Sequence, residues 1–166
     1  RLAAQAPCRS GPVTSTLGLM NSPLRDLLVS AALQWERRFG NAPSITTVLS
    51  EYDAAMLLGM SEDEYSTTMQ GATTVQKGFD FTFNGLRYQV KGNRPSGKPG
   101  STVSWVPKAT NYEWDRLVWV HYDPGYRVQE AWLWEVSAYR AAFHDVKRLS
   151  PAHHRLGKRL APVNEA

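Results

Sequence analysis

The sequence predicts an α/β domain in which helices flank a β-sheet, and three features of the 166-residue chain support this. Two apolar-alternating runs, at 79–83 and 86–90, flank Asn84-Gly85 and predict a β-hairpin. The near-continuous apolar run RLVWVHY at 116–122 predicts a central strand buried on both faces. Apolar residues at helical spacing precede and follow these strands. The length suffices for one domain with its own core.

Composition and charge limit the classes of protein to which the chain can belong. Residues 1–20 are rich in Ala, Ser, Thr, Gly and Pro, which predicts a flexible arm before a single domain at 21–166. A net charge of +4 favours an anionic partner. The single cysteine, Cys8, excludes an intramolecular disulfide and fits a reducing cytoplasm. No apolar run approaches the ~20 residues that span a bilayer, so we expect no membrane partner.

The first predicted helix has clear signals at both ends. Asn21 or Ser22 can cap it, and Pro23 stands in its first turn. Apolar residues then follow helical spacing until Gly40, which predicts the end of the helix.

A second helix is predicted at 46–60, directly before the hairpin. Glu51 lies at the margin of its apolar stripe. A short third helix is predicted to begin at Ser61, where Glu64 can complete a capping box. The stripe of the second helix, which we expect to be buried, consists of Val48, Leu49, Tyr52, Ala55, Met56 and Gly59.

Three more elements are predicted after the hairpin. A short strand is expected at 102–106. An Asp-Pro-Gly turn follows the buried central strand and leads into an alternating strand at 127–136. The spacing at 137–143 predicts a closing helix.

The predicted hairpin separates an apolar face from a polar one. With the pairing centred on Asn84-Gly85, Asp80 lies opposite Gln89, and Lys91 lies diagonal to Asp80. One interpretation is an ordinary amphipathic hairpin with a solvated polar face. The other is a divalent-metal site, since hard oxygen ligands suit Mg²⁺. The apolar face on either interpretation consists of Phe79, Phe81, Phe83, Leu86, Tyr88 and Val90.

Asp80, followed after eight residues by Gln89-Val90-Lys91, resembles the motif of the PD-(D/E)xK nucleases, which have the restriction-endonuclease-like fold. In that family an Asp on one strand and a (D/E)xK on the next bind metal and position water. Phe79 stands where the family has Pro, and Gln89 stands where it has an acid. The resemblance covers about residues 46–143 and implies a mixed sheet with helices on its faces.

The resemblance implies a metal-dependent deoxyribonuclease and indicates which residues would form its site. Glu51, Asp80 and the Gln89 carbonyl oxygen would hold Mg²⁺ or Mn²⁺. Lys91 would orient the attacking water or stabilise the transition state. The catalytic residues implied are thus Glu51, Asp80, Gln89 and Lys91, with Asp53 as the alternative to Glu51 on the same helix. Gln89 removes one negative charge from the metal site.

Basic residues after the hairpin favour DNA as the partner. The Gly- and Pro-rich loop at 92–101 is either a plain connector or a segment that follows a phosphate backbone. The segment 147–159 predicts a basic tail or helix. Cutting both strands of a duplex takes two sites, so a homodimer is a further expectation. The predicted DNA-contacting residues are Arg94, Lys98, Lys108, Arg155, Lys158 and Arg159.

Other functional classes are excluded or stay open as alternatives. No Gly-rich nucleotide loop, GxSxG elbow or HExxH helix is present. His153-His154 has no third ligand at a suitable spacing, so we expect no zinc site. One alternative to a nuclease is a non-catalytic nucleic-acid-binding domain on the same fold, with Gln89 marking a degraded site. A protein-interaction domain that uses exposed Trp residues is a third hypothesis.

Overall fold

A computed structural model describes residues 22–72 and 78–161, so the predicted arm at 1–20 lies outside the described residues. No helix within these two ranges is long and apolar enough to cross a membrane. The elements in chain order are α1 (Pro23–Phe39), α2 (Thr46–Leu57), α3 (Glu62–Gly71), β1 (Phe81–Phe83), β2 (Leu86–Asn93), β3 (Arg116–Tyr122), β4 (Val128–Glu135), α4 (Val136–Phe143), α5 (Pro151–His154) and β5 (Lys158–Ala161).

The five strands form one mixed sheet in the order β1-β2-β3-β4-β5. Strands β2 and β3 are parallel, and the other three neighbouring pairs are antiparallel. The predicted class, an α/β domain with helices flanking a mixed sheet, is therefore confirmed. The parallel pair requires a crossover, which the segment between β2 and β3 supplies.

Strand β3 lies at the centre of the sheet and is buried on both faces, as its apolar run predicts. Val118 and Val120 belong to a core shared with α1, α2 and α3. Leu117 and Trp119 belong to a second core, shared with α4 and the segment before β3. Alternation along one strand thus supplies both cores, because successive side chains point to opposite faces.

The hairpin has the predicted register. Phe83 pairs with Leu86 and Phe81 pairs with Tyr88, and both Asn84 (φ 49°) and Gly85 (φ 75°) have the positive φ of a type I′ turn. The prediction for Phe79 is wrong: β1 begins only at Phe81, and Phe79 packs against the second core. The ladder stops there because the Asp80 side chain replaces a backbone acceptor, as described below.

Helix α1 has the predicted ends, but its apolar stripe faces outward. Its C-cap Gly40 is left-handed (φ 81°) and donates its N–H to the Glu36 carbonyl at 2.8 Å. Among the residues of α1 only Ala32 is fully buried. Two ion pairs attach the inner face of the helix to the rest of the domain, one through Arg25 and one through Glu36.

Helix α2 ends at Leu57 and is rotated relative to the predicted stripe. Val48, predicted to be buried, is 57% exposed. The helix turns this way because Asp53, buried on its inner face, bonds to α1 and β3. Helix α3 begins with the predicted capping box between Ser61 and Glu64. The fully buried residues of α2 are Leu49, Ser50, Asp53, Ala54 and Ala55.

Two segments, one before β3 and one after α4, differ from their predictions. The strand predicted at 102–106 is only an isolated bridge between Val106 and Leu149. The segment predicted as a basic tail or helix contains α5 and the edge strand β5, which pairs with β4. Its structure depends on tertiary contacts, since the His154 ring is fully buried and stacks on Trp119 at 5.0 Å. Burial lowers the pKa of His154 to about 3.

Candidate active site

The hairpin fixes the Asp80 carboxylate against the second strand. The Asp80 N–H donates to the Tyr88 carbonyl at 2.8 Å. The backbone N–H of Val90 and the side-chain amide of Gln89 both donate to Asp80 Oδ2 at 2.5 Å. A carboxylate thus accepts the hydrogen bond that a strand carbonyl would otherwise accept. Two donors on one oxygen hold the carboxylate in a single orientation.

Gln89 contacts Asp80 through its amide nitrogen, because an ionised carboxylate can only accept hydrogen bonds. The motif predicts that the carbonyl oxygen of the same amide is a metal ligand. Gln89 is 7% exposed. In this geometry a Glu at position 89 would repel Asp80, whereas the amide binds it. Gln89 therefore stabilises the charged form of Asp80.

Helix α2 brings Glu51 toward the same strand. The buried Ala54 and Ala55 let α2 approach the sheet closely, as their small size predicts. One close approach is at Gly92 of β2, where a Cβ on this residue would lie 2.6 Å from the Cβ of Ser50. No larger residue fits at Gly92 without moving the helix. The residue after Ser50 is Glu51, which is half-buried beside this contact.

Glu51, Asp80 and Lys91 form one electrostatic cluster. Burial, and then the charge of Asp80, raises the pKa of Glu51 to about 7, against the opposing effect of Lys91. Burial also raises the pKa of Asp80, opposed by the Val90 N–H, Lys91 and Gln89. A divalent cation is the kind of ligand that can neutralise two carboxylates whose charges oppose each other.

Replacing Glu51 with Gln should stabilise the metal-free protein at alkaline pH. The folded-state pKa is raised, so ionising Glu51 costs stability as pH rises from about 4.5 to about 7. We expect equal unfolding free energies below pH 4.5 and a gain of about 1 kcal/mol at pH 8, after discounting for partial exposure. Urea unfolding in EDTA measures this, with Glu113→Gln at an exposed position as control. Equal stabilities at pH 8 would contradict the burial of this charge.

The oxygen donors present fit a hard divalent cation, with fewer charges than the motif normally has. Within residues 22–72 and 78–161, no group of three or more His, Cys, Asp and Glu side chains is arranged to hold a metal. Glu51 and Asp80 supply two carboxylates, and Gln89 supplies a neutral amide. Mg²⁺ usually takes one or two protein carboxylates and keeps several waters, so two acids are sufficient.

Asp53, the alternative to Glu51, has a structural role. Its carboxylate is fully buried and accepts two hydrogen bonds from Arg25, at 2.7 and 2.6 Å. The Tyr122 hydroxyl donates to Asp53 Oδ2 at 2.7 Å. With its oxygens bound in this way, Asp53 joins α1, α2 and β3. The choice between the two acids of α2 therefore favours Glu51.

Tyr65 is a neighbour of the cluster that the sequence did not indicate. This half-buried residue of α3 has its pKa raised to about 12 by burial and by the charges of Glu51 and Asp80. Its ring packs edge-on against Phe81, 6.3 Å between centroids. Tyr65 stands alone in the sequence, four residues after the helix cap. Its position beside the cluster could not be predicted, because the contact joins two elements, α3 and β1.

Three of the predicted DNA-contacting residues have other partners. Arg94 binds Glu36 at 2.6 Å and the Pro124 carbonyl at 2.8 Å, and its side chain is 5% exposed, so little of it is available to a phosphate. Lys108 donates to two carbonyls at the end of α4, and Arg155 binds the buried Glu130. These contacts engage the three basic side chains within the protein, whereas composition alone would count all three as surface charges.

The remaining three predicted DNA contacts, Lys98, Lys158 and Arg159, are exposed. Lys158 and Arg159 lie on the edge strand β5, and Lys98 lies in the loop after β2. Arg159 Nε donates to the Ala161 carbonyl at 3.0 Å. Their exposure leaves these residues available to a phosphate backbone.

Neither a protein-family model nor a curated protein matches this chain. Inference about its function therefore depends on the site itself.

Proposed function

We propose that the protein is a metal-dependent DNA nuclease, with DNA and a second copy of the chain as its partners. The observation that supports this most directly is the cluster of Glu51, Asp80 and Lys91 at the hairpin, where burial raises the pKa of both carboxylates. This arrangement resembles the site of the PD-(D/E)xK nucleases and has the same residue types apart from Gln89.

Glu51 and Asp80, with the Gln89 carbonyl oxygen, would hold Mg²⁺ or Mn²⁺. When bound, such an ion lowers the pKa of a coordinated water and neutralises charge on the phosphate. Val90 and Gln89 keep the Asp80 carboxylate in one orientation through their hydrogen bonds. Preorganised groups of this kind cost little reorganisation during the reaction.

Lys91 is the group proposed to act on the reacting atoms. Its ammonium would orient the attacking water and stabilise the negative charge that develops on the pentavalent phosphorus centre. The water oxygen forms a bond to phosphorus as the bond to the leaving oxygen breaks. The attacking water releases a proton to solvent, and the leaving oxygen takes one up from solvent. Lys91 is partly buried on β2, where it is paired in register with Trp119.

One observation favours a second candidate, a non-catalytic DNA-binding domain on the same fold. Gln89 and the lack of a third acid among the described residues leave the site with two carboxylates. Incubation of the purified protein with supercoiled plasmid in Mg²⁺, Mn²⁺ or EDTA separates the two candidates. Nicking that requires a divalent ion supports the nuclease. DNA binding without nicking in any metal supports the binding domain.

Replacing Gln89 with Glu should lower the metal concentration that gives half the maximal nicking rate. The change adds a charge beside Asp80, and a bound divalent cation would offset the resulting repulsion. Metal titrations of both proteins, monitored by plasmid nicking, measure the shift. Gln70→Glu, an exposed change on α3, is the matched control. An unchanged or higher half-maximal concentration would exclude position 89 from the metal site.

A further inference from the structure

Helix α1 exposes a row of large apolar side chains. Leu24 is 75% exposed, Leu27 66%, Trp35 51% and Phe39 59%. Trp35 and Phe39 contact each other, with ring centroids 4.5 Å apart. Single exposed apolar residues are common, but a contiguous apolar patch on one helix face marks an interaction site.

The row is nearly symmetric about Ala31, which is itself exposed. Leu27 precedes Ala31 by four residues and Trp35 follows it by four. Leu27, Ala31, Trp35 and Phe39 line a shallow groove of about 410 Å³. A two-fold axis through Ala31 would place Leu27 of one copy on Trp35 of the other, and the small side chain at the axis permits close packing.

We propose that α1 pairs antiparallel with α1 of a second copy of the chain, forming a homodimer with its two-fold axis at Ala31. An isologous interface of this kind uses the same patch on both subunits. The pairing depends only on α1. The role we assign to the dimer, which is to present two cleavage sites to one duplex, rests on the proposed nuclease function.

Charge on the patch and the helix dipoles favour the antiparallel direction. Arg38, in the last turn of α1, lines the groove with Trp35 and Phe39. Antiparallel pairing about Ala31 places the Arg38 side chains of the two copies at opposite ends of the interface and opposes the two helix dipoles. Parallel pairing would place the two Arg38 side chains side by side.

The exposed apolar area is sufficient for a homodimer interface. The exposed parts of these side chains amount to roughly 500 Å² per chain, given the ~150–250 Å² that a large aromatic residue can bury. Complete burial of these parts in two copies would remove about 1,000 Å² from water, before the flanking polar residues are included. This is near the lower limit for specific interfaces and predicts a dimer that dissociates on dilution.

The mass of the full-length protein in solution tests the proposal. The parent chain should sediment at about twice its 18.6 kDa at high concentration. Leu27→Glu and Trp35→Glu should each give a monomer with unchanged circular dichroism. Val48→Glu, on an exposed residue of α2, should leave the dimer intact. A parent protein that is monomeric at every concentration would overturn the proposal and would favour residues 1–21 or a foreign protein as the cover.

Cross-linking at the axis tests the geometry. Ala31→Cys in a Cys8→Ser background should form a disulfide-linked dimer on mild oxidation, because a residue on a two-fold axis faces its own copy. Val48→Cys in the same background should not. A dimer without this cross-link would overturn the axis at Ala31. Both experiments use no DNA or metal, so their failure is distinguishable from failure of the nuclease proposal.

Discussion

Asp80→Asn is expected to reduce metal-dependent plasmid nicking by at least about 100-fold, the scale of a lost preorganised electrostatic contact. The substitution is isosteric, and the remaining Asn oxygen can still accept from the Val90 N–H, so the hairpin is preserved. The charge that would hold the cation is lost. Initial nicking rates in Mg²⁺ and Mn²⁺ measure the effect, and DNA binding measured in EDTA should change little.

Asp115→Asn is the matched control for this prediction. Asp115 is an acid just before β3, where it binds the exposed Arg87 at 3.0 Å, and that hydrogen bond lowers the pKa of Asp115 to about 2. Its replacement should leave nicking unchanged. An active Asp80→Asn protein would remove Asp80 from the mechanism. Nicking by the parent protein in EDTA would contradict a metal-dependent reaction altogether.

Asp53→Asn is expected to lower the free energy of unfolding by about 3–5 kcal/mol, the usual cost of removing one partner of a buried ion pair. The Arg25 guanidinium would remain near the core without a counter-charge, and Tyr122 would lose a charged acceptor. Urea unfolding at pH 7 measures the loss. Glu135→Gln breaks the exposed pair with Arg116 and should cost less than about 1 kcal/mol.

The double variant Asp53→Asn with Arg25→Met separates the ion pair from packing. If the uncompensated charge is the main cost, removing Arg25 as well should recover much of the lost stability. Additive losses in the two single variants would instead show that both side chains contribute independently. A loss below about 1 kcal/mol for Asp53→Asn would contradict the structural role of this residue.

Local sequence signals predicted most of the fold. The Asn84-Gly85 turn determined the hairpin register, because only residues that tolerate positive φ form that turn. Pro23 and Gly40 marked the ends of α1, and the apolar run at 116–122 marked β3 to the residue. Strand β5 could not be predicted, since a short, charged segment becomes a strand only through its pairing with β4.

The candidate site was predicted in part, for the same reason. The hairpin register placed Asp80 beside Gln89, so that contact was predictable. The choice between Glu51 and Asp53 was not, because it depends on the rotation of α2, which Arg25 determines from another helix. The partner of a basic residue could not be predicted from the sequence either. Arg94 looks like a free cation in the sequence, and only the folded chain brings Glu36 to it.

The two ion pairs of α1 have a mechanical consequence. They lie eleven residues apart, about 16 Å along the helix, and each attaches to an element of the site. Arg25 holds Asp53, two residues from Glu51, and Glu36 holds Arg94, three residues from Lys91. Because an ion pair holds each end of α1, a tilt of this helix would pull on α2 and on the end of β2. A rotation imposed on its outer face would therefore act, through these ion pairs, on the elements that carry Glu51 and Lys91.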